Sequence, residues 1–330
     1  MKDPKLVVQA APFLQQGLTT PQAMLDVFYA LIPITIASIW FFGISVLLVL
    51  LASIAGAVLT EWLFSSNKAS LWDGSAVLTG LLLGLTLPPA LPLWMAFIGG
   101  VVSIGLGKMV WGGLGNNLFN PALLGRAFLL ANFPNAMTTW TSGPTGLFNL
   151  YPSNFAIPFM QVDAVSSATP LGLMKFQQQD TPLLDLMIGN TAGSFGETCG
   201  LLIILGGLYL ILRRSIDWRI PTAILSTVII FTSLLFMLDS TRYPDPLFAV
   251  FSGGLLLGTF FMATDPVTSP LTPKGAWLFG IGIGIIVVLI RVFGGFPEGV
   301  MYAILLMNAT VPLIERYTQP RAFGRGGAHD

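Results

Sequence analysis

The sequence predicts an all-α polytopic membrane protein, with about ten transmembrane helices in two inverted-topology repeats and some helices short or broken. Three observations carry that prediction. Of 330 residues, 54% are hydrophobic and 9% charged, against about 25% charged in a soluble domain. The apolar residues gather into runs close to the ~20 residues that a spanning helix needs. A short string, GLLLG, occurs twice, at 80–84 and 254–258, and matching landmarks come after each copy.

The N-terminal stretch, 1–24, carries Lys2 and Lys5 and then a polar, proline-containing run. It lacks an apolar core ending at a small-residue cleavage site, so no cleaved signal peptide is expected. Spans are expected at 25–41, 43–64, 75–88, 92–110 and 119–134, forming a first membrane repeat over 25–134. A second repeat, 196–315, has spans at 196–212, 220–238, 247–262, 276–293 and 298–315. The segment 135–195 joins the halves, and 316–330 is a tail. The spans at 75–88 and 119–134 are short and lie beside LPPALP and WGGLGNNLFNP. Short helices with Gly/Pro breaks often line a site in a membrane core.

The repeat rests on the landmarks downstream of GLLLG. Each copy leads through an apolar span to a basic residue, an aromatic residue and two glycines: KMVWGG at 108–113 and RVFGG at 291–295. With an odd number of spans in each half, the copies cross the membrane in opposite senses. The positive-inside rule orients the chain. With a cytoplasmic N-terminus, RRSIDWR (213–219) and both tails fall inside, together with Lys108 and Arg126, and only Lys175, Arg242 and Arg291 fall outside. Both termini are then cytoplasmic, and 135–195 is extracytoplasmic.

The redox inventory is sparse. There is one cysteine, Cys199, and one histidine, His329. An iron–sulfur cluster usually needs four thiolates and a zinc site three or four close ligands. An electron carrier of this composition needs an organic cofactor. Cys199 reads as a small apolar residue at a helix start.

The loop carries one unusual run, DAVSSATP at 163–170. A threonine hydroxyl is a poor nucleophile without an activating base, so self-catalysed chemistry at Thr169 is not expected. Small neighbours would let another enzyme reach it. An ordinary cap or turn is the plain alternative.

Asp163, Ser166, Ser167, Ala168 and Thr169 together resemble the flavinylation motif of two related families. These are the D subunits of Rnf complexes and the B subunits of sodium-translocating NADH:quinone reductases. The resemblance extends over WFFG (40–43), DGSAVLTGLLLG (73–84), WGGLGNNLFNPALLG (111–125), TDPVT (264–268) and 290–314, nearly the whole chain. It fits the Rnf family best, since the extra N-terminal sequence of the quinone reductase family is absent. One departure is Asn117-Leu118, where Asn-Pro is expected before Phe119, a change that reads as structural.

The resemblance implies covalent FMN on Thr169 through a phosphoester, installed by a separate flavin transferase. It also implies a second, non-covalent flavin such as riboflavin in the helical core. The implied function is a flavin-carrying subunit of a translocase in the bacterial inner membrane, coupling electron transfer between ferredoxin and NAD to Na⁺ or H⁺ movement. The subunit has no complete active site alone. The implied partners are a second covalent-flavin subunit on the outer side, two small membrane subunits, and cytoplasmic iron–sulfur subunits, with no nucleic acid. Read without the resemblance, the architecture also suits a flavin-free solute channel, transporter or scaffold.

Among other polar residues, Asn116, Asn117 and Asn120 either cap a broken helix or line a flavin or ion site. Asp265 is an N-cap or a member of an ion path. Arg126 is expected to hold a carbonyl or phosphate near the inner surface. Asp26, Glu61 and Glu298 sit near span ends and are expected at headgroup level.

Overall fold

The computed structural model describes residues 19–65, 72–141, 146–158, 167–197, 199–240 and 243–319. The chain is α-helical, with no strand among the described residues. The first half contains α1 (Thr20–Phe42), α2 (Ile44–Phe64), α3 (Ser75–Leu85), α4 (Leu93–Ile104) and α5 (Pro121–Asn132). The connecting segment holds α6 (Pro134–Thr138), α7 (Pro170–Gly172) and α8 (Leu183–Ile188). The second half has α9 (Gly200–Leu212), α10 (Arg219–Leu238), α11 (Pro246–Phe251), α12 (Leu255–Leu257), α13 (Pro273–Phe293) and α14 (Val300–Thr318). Among the described residues three π-helical turns interrupt the pattern, Gly105–Met109 after α4, Leu173–Gln177 after α7 and Gly258–Met262 after α12.

Among the described residues, four helices are long and apolar enough to cross a membrane: α1, α2, α10 and α13. At 1.5 Å per residue, the 21 residues of α2 extend about 30 Å, the thickness of a hydrocarbon core. By contrast α3, with 11 residues, extends only about 16 Å. Its chain then runs through residues 86–91, which are all buried yet not helical. Buried free carbonyls are costly in such a place. Asn154 relieves them: its Nδ2 donates to Pro89 O at 3.0 Å and to Leu91 O at 2.8 Å.

The connecting segment covers one side of the bundle. Its contacts identify which turns lie there. Ser45 donates to Asn149 O, Asn154 reaches the 89–91 turn, and Lys175 reaches the turn after α13. We term this the loop side. On the opposite side, Asp26 near the start of α1 accepts from Ser215 after α9. There too Leu271, before α13, donates its N–H to Glu315 in the last turns of α14.

Small residues set the helix packing within each half. On α4, a Cβ at Gly100 would lie 2.2 Å from Ser53 O of α2. On α13, a Cβ at Gly280 would lie 2.5 Å from Ala223 Cβ of α10. Close backbone approach of this kind is how membrane helices gain van der Waals contact without a hydrophobic driving force. The packing of α2 on α4 thus has its counterpart in that of α10 on α13. The broken helices differ from expectation in number. Besides α3 and α5, the span expected at 247–262 is split at 252–254 into α11 and α12, where Gly253 takes φ +66°.

Candidate functional site

Polar side chains collect at two places, one on each side of the bundle. On the loop side, Thr169 is the N-cap of α7, with its Oγ1 accepting from Gly172 N at 3.2 Å. Pro170 suits the first helical position, where its missing N–H costs nothing. Thr169 is half-buried and Ala168 exposed. Ser167 N donates to Trp140 O at 2.7 Å, pinning the run to the α6 end. The Thr169 hydroxyl hydrogen meets no acceptor among the described residues, and an exposed Ala168 leaves the oxygen approachable. Asp163 and Ser166 lie outside the described residues.

Just beyond Thr169 the chain makes a π-helical turn, Leu173–Gln177. Lys175 there donates to the carbonyls of Ile290, Gly294 and Phe296, clamping the segment onto the end of α13. Burial pushes its ammonium below the usual lysine range. A cavity of about 370 Å³ opens between this turn and the second half. Leu171, Met174, Phe176, Tyr243, Phe248 and Arg291 line it.

Arg126 reaches this side too, where a carboxylate takes the place of the carbonyl or phosphate expected for it. Its guanidinium pairs with Glu298 Oε2 at 2.6 Å. Both residues line a smaller cavity of about 60 Å³ that also touches Trp140. Arg126 sits midway along the short α5, turned toward the start of α14. Glu298 is correspondingly bound by protein groups. Its other oxygen accepts the N–H of Gly254 at 3.0 Å, which satisfies the start of α12. Arg291 serves the other end of the same break, donating to the carbonyls of Ala249 and Ser252.

On the opposite side, Lys108 lies in the π-turn Gly105–Met109 at 2% exposure and pairs with Glu61 Oε1 at 2.6 Å. Its ammonium also donates to Ser75 Oγ at 2.6 Å. Glu61 is wholly buried, so it lacks the solvation expected of an acid near a span end. The same holds for Asp26, 4% exposed, which accepts from Ser215 Oγ at 2.8 Å and pairs with Arg213. Spanning-length arguments place α-carbons by depth, but these acids are drawn inward by partners on neighbouring helices.

A cavity of about 80 Å³ lies beside Lys108, lined by Asn117, Asn120, Asp265, Phe260 and Phe261 among others. Asn120 is the N-cap of α5, accepting from Leu123 N at 3.2 Å, and its Nδ2 donates to Met262 O at 3.0 Å. It therefore ties the two halves together at the π-turn Gly258–Met262. Asn116 is exposed and does not line this cavity. Asn117 does, with a buried Oδ1 that has no hydrogen-bond partner among the described residues. Asp265 caps its own turn through Val267 N and Thr268 Oγ1 and also lines the cavity. Lys108, Glu61 and Arg291 escaped sequence reasoning as site members. The one available signal was the equivalent placing of Lys108 and Arg291 in the KMVWGG and RVFGG landmarks.

The chain has relatives among known proteins. Residues 7–324 match the model of the NQR2, RnfD, RnfE family. The chain is 41% identical to the D subunit of the "Proton-translocating ferredoxin:NAD(+) oxidoreductase complex" of Clostridium ljungdahlii, covering 96% of each chain. It is 43% identical to the D subunit of the "Ion-translocating oxidoreductase complex" of Stutzerimonas stutzeri, over 92% of this chain and 91% of that one. It is 39% identical to the D subunit of the "Na(+)-translocating ferredoxin:NAD(+) oxidoreductase complex" of Acetobacterium woodii, over 98% and 97%.

Proposed function

The chain belongs to the NQR2, RnfD, RnfE family, and from that premise we propose that it is the flavin-carrying membrane subunit of an Rnf-type complex. It is a subunit of an ion-translocating oxidoreductase complex, built as a multi-pass α-helical membrane protein. In this reading Thr169 bears FMN through a phosphoester that a flavin transferase makes. The single observation that supports it is the presentation of Thr169. Its hydroxyl caps a three-residue helix, flanked by the exposed Ala168, beside a cavity of about 370 Å³.

The residues present suit the group. Ligand pockets typically measure about 300–1,000 Å³, and the neighbouring cavity falls in that range. Its aromatic and aliphatic walls, Phe176, Phe248 and Tyr243 among them, suit a planar ring, and Arg291 supplies positive charge. The bound flavin would supply electron transfer, accepting and releasing electrons one at a time. The chain's own part is to hold and orient. Ser167 and Lys175 fix the segment on either side of Thr169.

A second, non-covalent flavin at the junction of the halves suits the other cavity in chemistry, through Phe260, Phe261, Asn117 and Asn120. At about 80 Å³ that cavity is too small for the ring as it stands, so no step is routed through it. The loop side is read as extracytoplasmic and the termini as cytoplasmic, from the distribution of Lys and Arg. The partners are the other subunits of an Rnf-type complex, among them iron–sulfur subunits, and the translocated ion is Na⁺ or H⁺.

The test is direct. The chain is co-expressed with a flavin transferase, and a denaturing gel is viewed under ultraviolet light. A fluorescent wild-type band and a dark Thr169→Ala band are expected. A dark wild-type band beside a glowing flavinylated control would overturn the reading.

A further inference from the structure

The helix break on the loop side accounts for most of the buried charge around it. Arg291 serves the carbonyls that end α11, and Glu298 serves the N–H that begins α12 while neutralising Arg126. Glu197 has no such duty. It ends the 3₁₀ turn Phe195–Glu197, just before α9. Its Oε1 accepts from the Ser194 hydroxyl at 2.6 Å, and it lies beside Glu298: a Cβ built at Gly254 would meet Glu298 Oε1 at 2.8 Å and Glu197 Oε1 at 3.6 Å. No cation lies in salt-bridge contact with Glu197 among the described residues. The charged groups that face it are Glu298, Arg126 from α5 and Arg291 from α13.

Two carboxyl groups held this close and away from water cannot both stay ionised, and such a pair shares one proton. The partners decide which member carries it. Glu298 is fixed as the anion by Arg126 and the Gly254 N–H. Among the described residues Glu197 is hydrogen-bonded only by the neutral Ser194 hydroxyl, which places the proton on its side of the pair. The pair is not sealed. The cavity of about 60 Å³ beside Arg126 and Glu298 reaches Thr138 and Trp140 of the connecting segment, with room for water. Nearby, Ser252, whose carbonyl Arg291 holds, keeps a fully buried hydroxyl with no partner among the described residues.

We propose that Glu197 and Glu298 form an exchangeable-proton site, in which one proton is held between the two carboxyls and traded with water on the loop side. The step balances simply: Glu197 loses H⁺ to water, becoming a carboxylate, and regains it from hydronium, with no change of oxidation state. A negative charge arriving nearby strengthens the hold on the proton, and its departure weakens it. The link to an electron on the loop side rests on the proposal of a flavin at Thr169; the proton site itself does not.

The experiment uses the complex purified from membranes, with ¹³C-labelled glutamate and infrared spectroscopy at neutral pH. A protonated-carboxyl C=O band, shifted by label and by D₂O, is expected in wild type and lost in Glu197→Gln. Glutamine keeps a donor toward Glu298, so Glu197→Gln should melt like wild type. Glu298→Gln strands Arg126 and should melt lower. No such band in wild type, or its survival in Glu197→Gln, overturns the site. A second readout is the flavin reduction potential against pH, whose slope should flatten in Glu197→Gln, and an unchanged slope refutes the redox link. A preparation without flavin would sink the flavin reading, while the infrared result would still decide the proton site.

Discussion

Gly100 offers the sharpest test of the packing. A Cβ built there lies 2.2 Å from Ser53 O and 2.8 Å from Ala57 N. Van der Waals contact between carbon and such atoms needs about 3.5 Å, so α2 and α4 must part by roughly 1 Å. Both colliding atoms are backbone, and no rotamer change relieves them. Overpacking of this sort costs about 1–3 kcal/mol, and the top of that range fits a clash with no soft atom. Gly56 faces the same crossing, where a Cβ would meet Phe97 O at 2.1 Å. Once the helices have parted for one alanine, the other is partly accommodated, so the double substitution should cost less than the sum. Gly105→Ala is the control, since its Cβ meets only Thr60 Cγ2 at 3.8 Å. The assay is thermal unfolding in detergent for the three single variants and the Gly56/Gly100 double. If Gly100→Ala melted within error of Gly105→Ala, the close α2–α4 contact would be wrong. So would the positioning of Lys108, which α4 carries toward Glu61.

Three more outcomes come from named contacts. Asn120→Ala should destabilise by about 1–2 kcal/mol from the lost cap and the lost bond to Met262 O. Asn120→Asp should recover the cap part only, as chemical denaturation of the set would show. Lys175→Met removes the clamp on α13, and limited proteolysis should cut the 167–180 segment faster while leaving the helices intact. The same lysine has a sign in pH. Its folded value is lowered, so near and below the usual lysine pKa the unfolded chain binds more protons, and its contribution to stability grows as pH rises through that alkaline window. Lys175→Met should flatten that part of the stability curve. Asp265→Asn keeps an acceptor for Val267 N, so stability should change little. A large change in cation-dependent activity of the complex would assign the residue to the ion path, and unchanged cation dependence would leave it a turn cap.

Much was legible beforehand because it depends on composition and period. A chain with so few charges has no soluble solution, and runs such as 43–64 have only one stable form in a bilayer, which α2 adopts. The LPPALP string signals a break because proline cannot supply the missing N–H, and α3 does end just before it. The split of 247–262 was harder to see. SGG inside an apolar run is a weak breaker, and the run looks continuous by hydropathy. Its cause is tertiary, since Arg291 and Glu298 come from distant helices to satisfy the freed backbone. The partners of Arg126, Glu61 and Asp26 were hidden for the same reason.

The sequence alone determined that this protein is helical, spans a membrane and carries its one hydroxylated loop motif between two apolar halves. Those features depend on the residues themselves and on their local spacing. Only the tertiary structure decided which charges meet. Glu197 and Glu298 stand about a hundred positions apart, and nothing local in either sequence context announces the other. They come together because two helix starts and one broken helix converge on the loop side, where buried polar backbone demands partners.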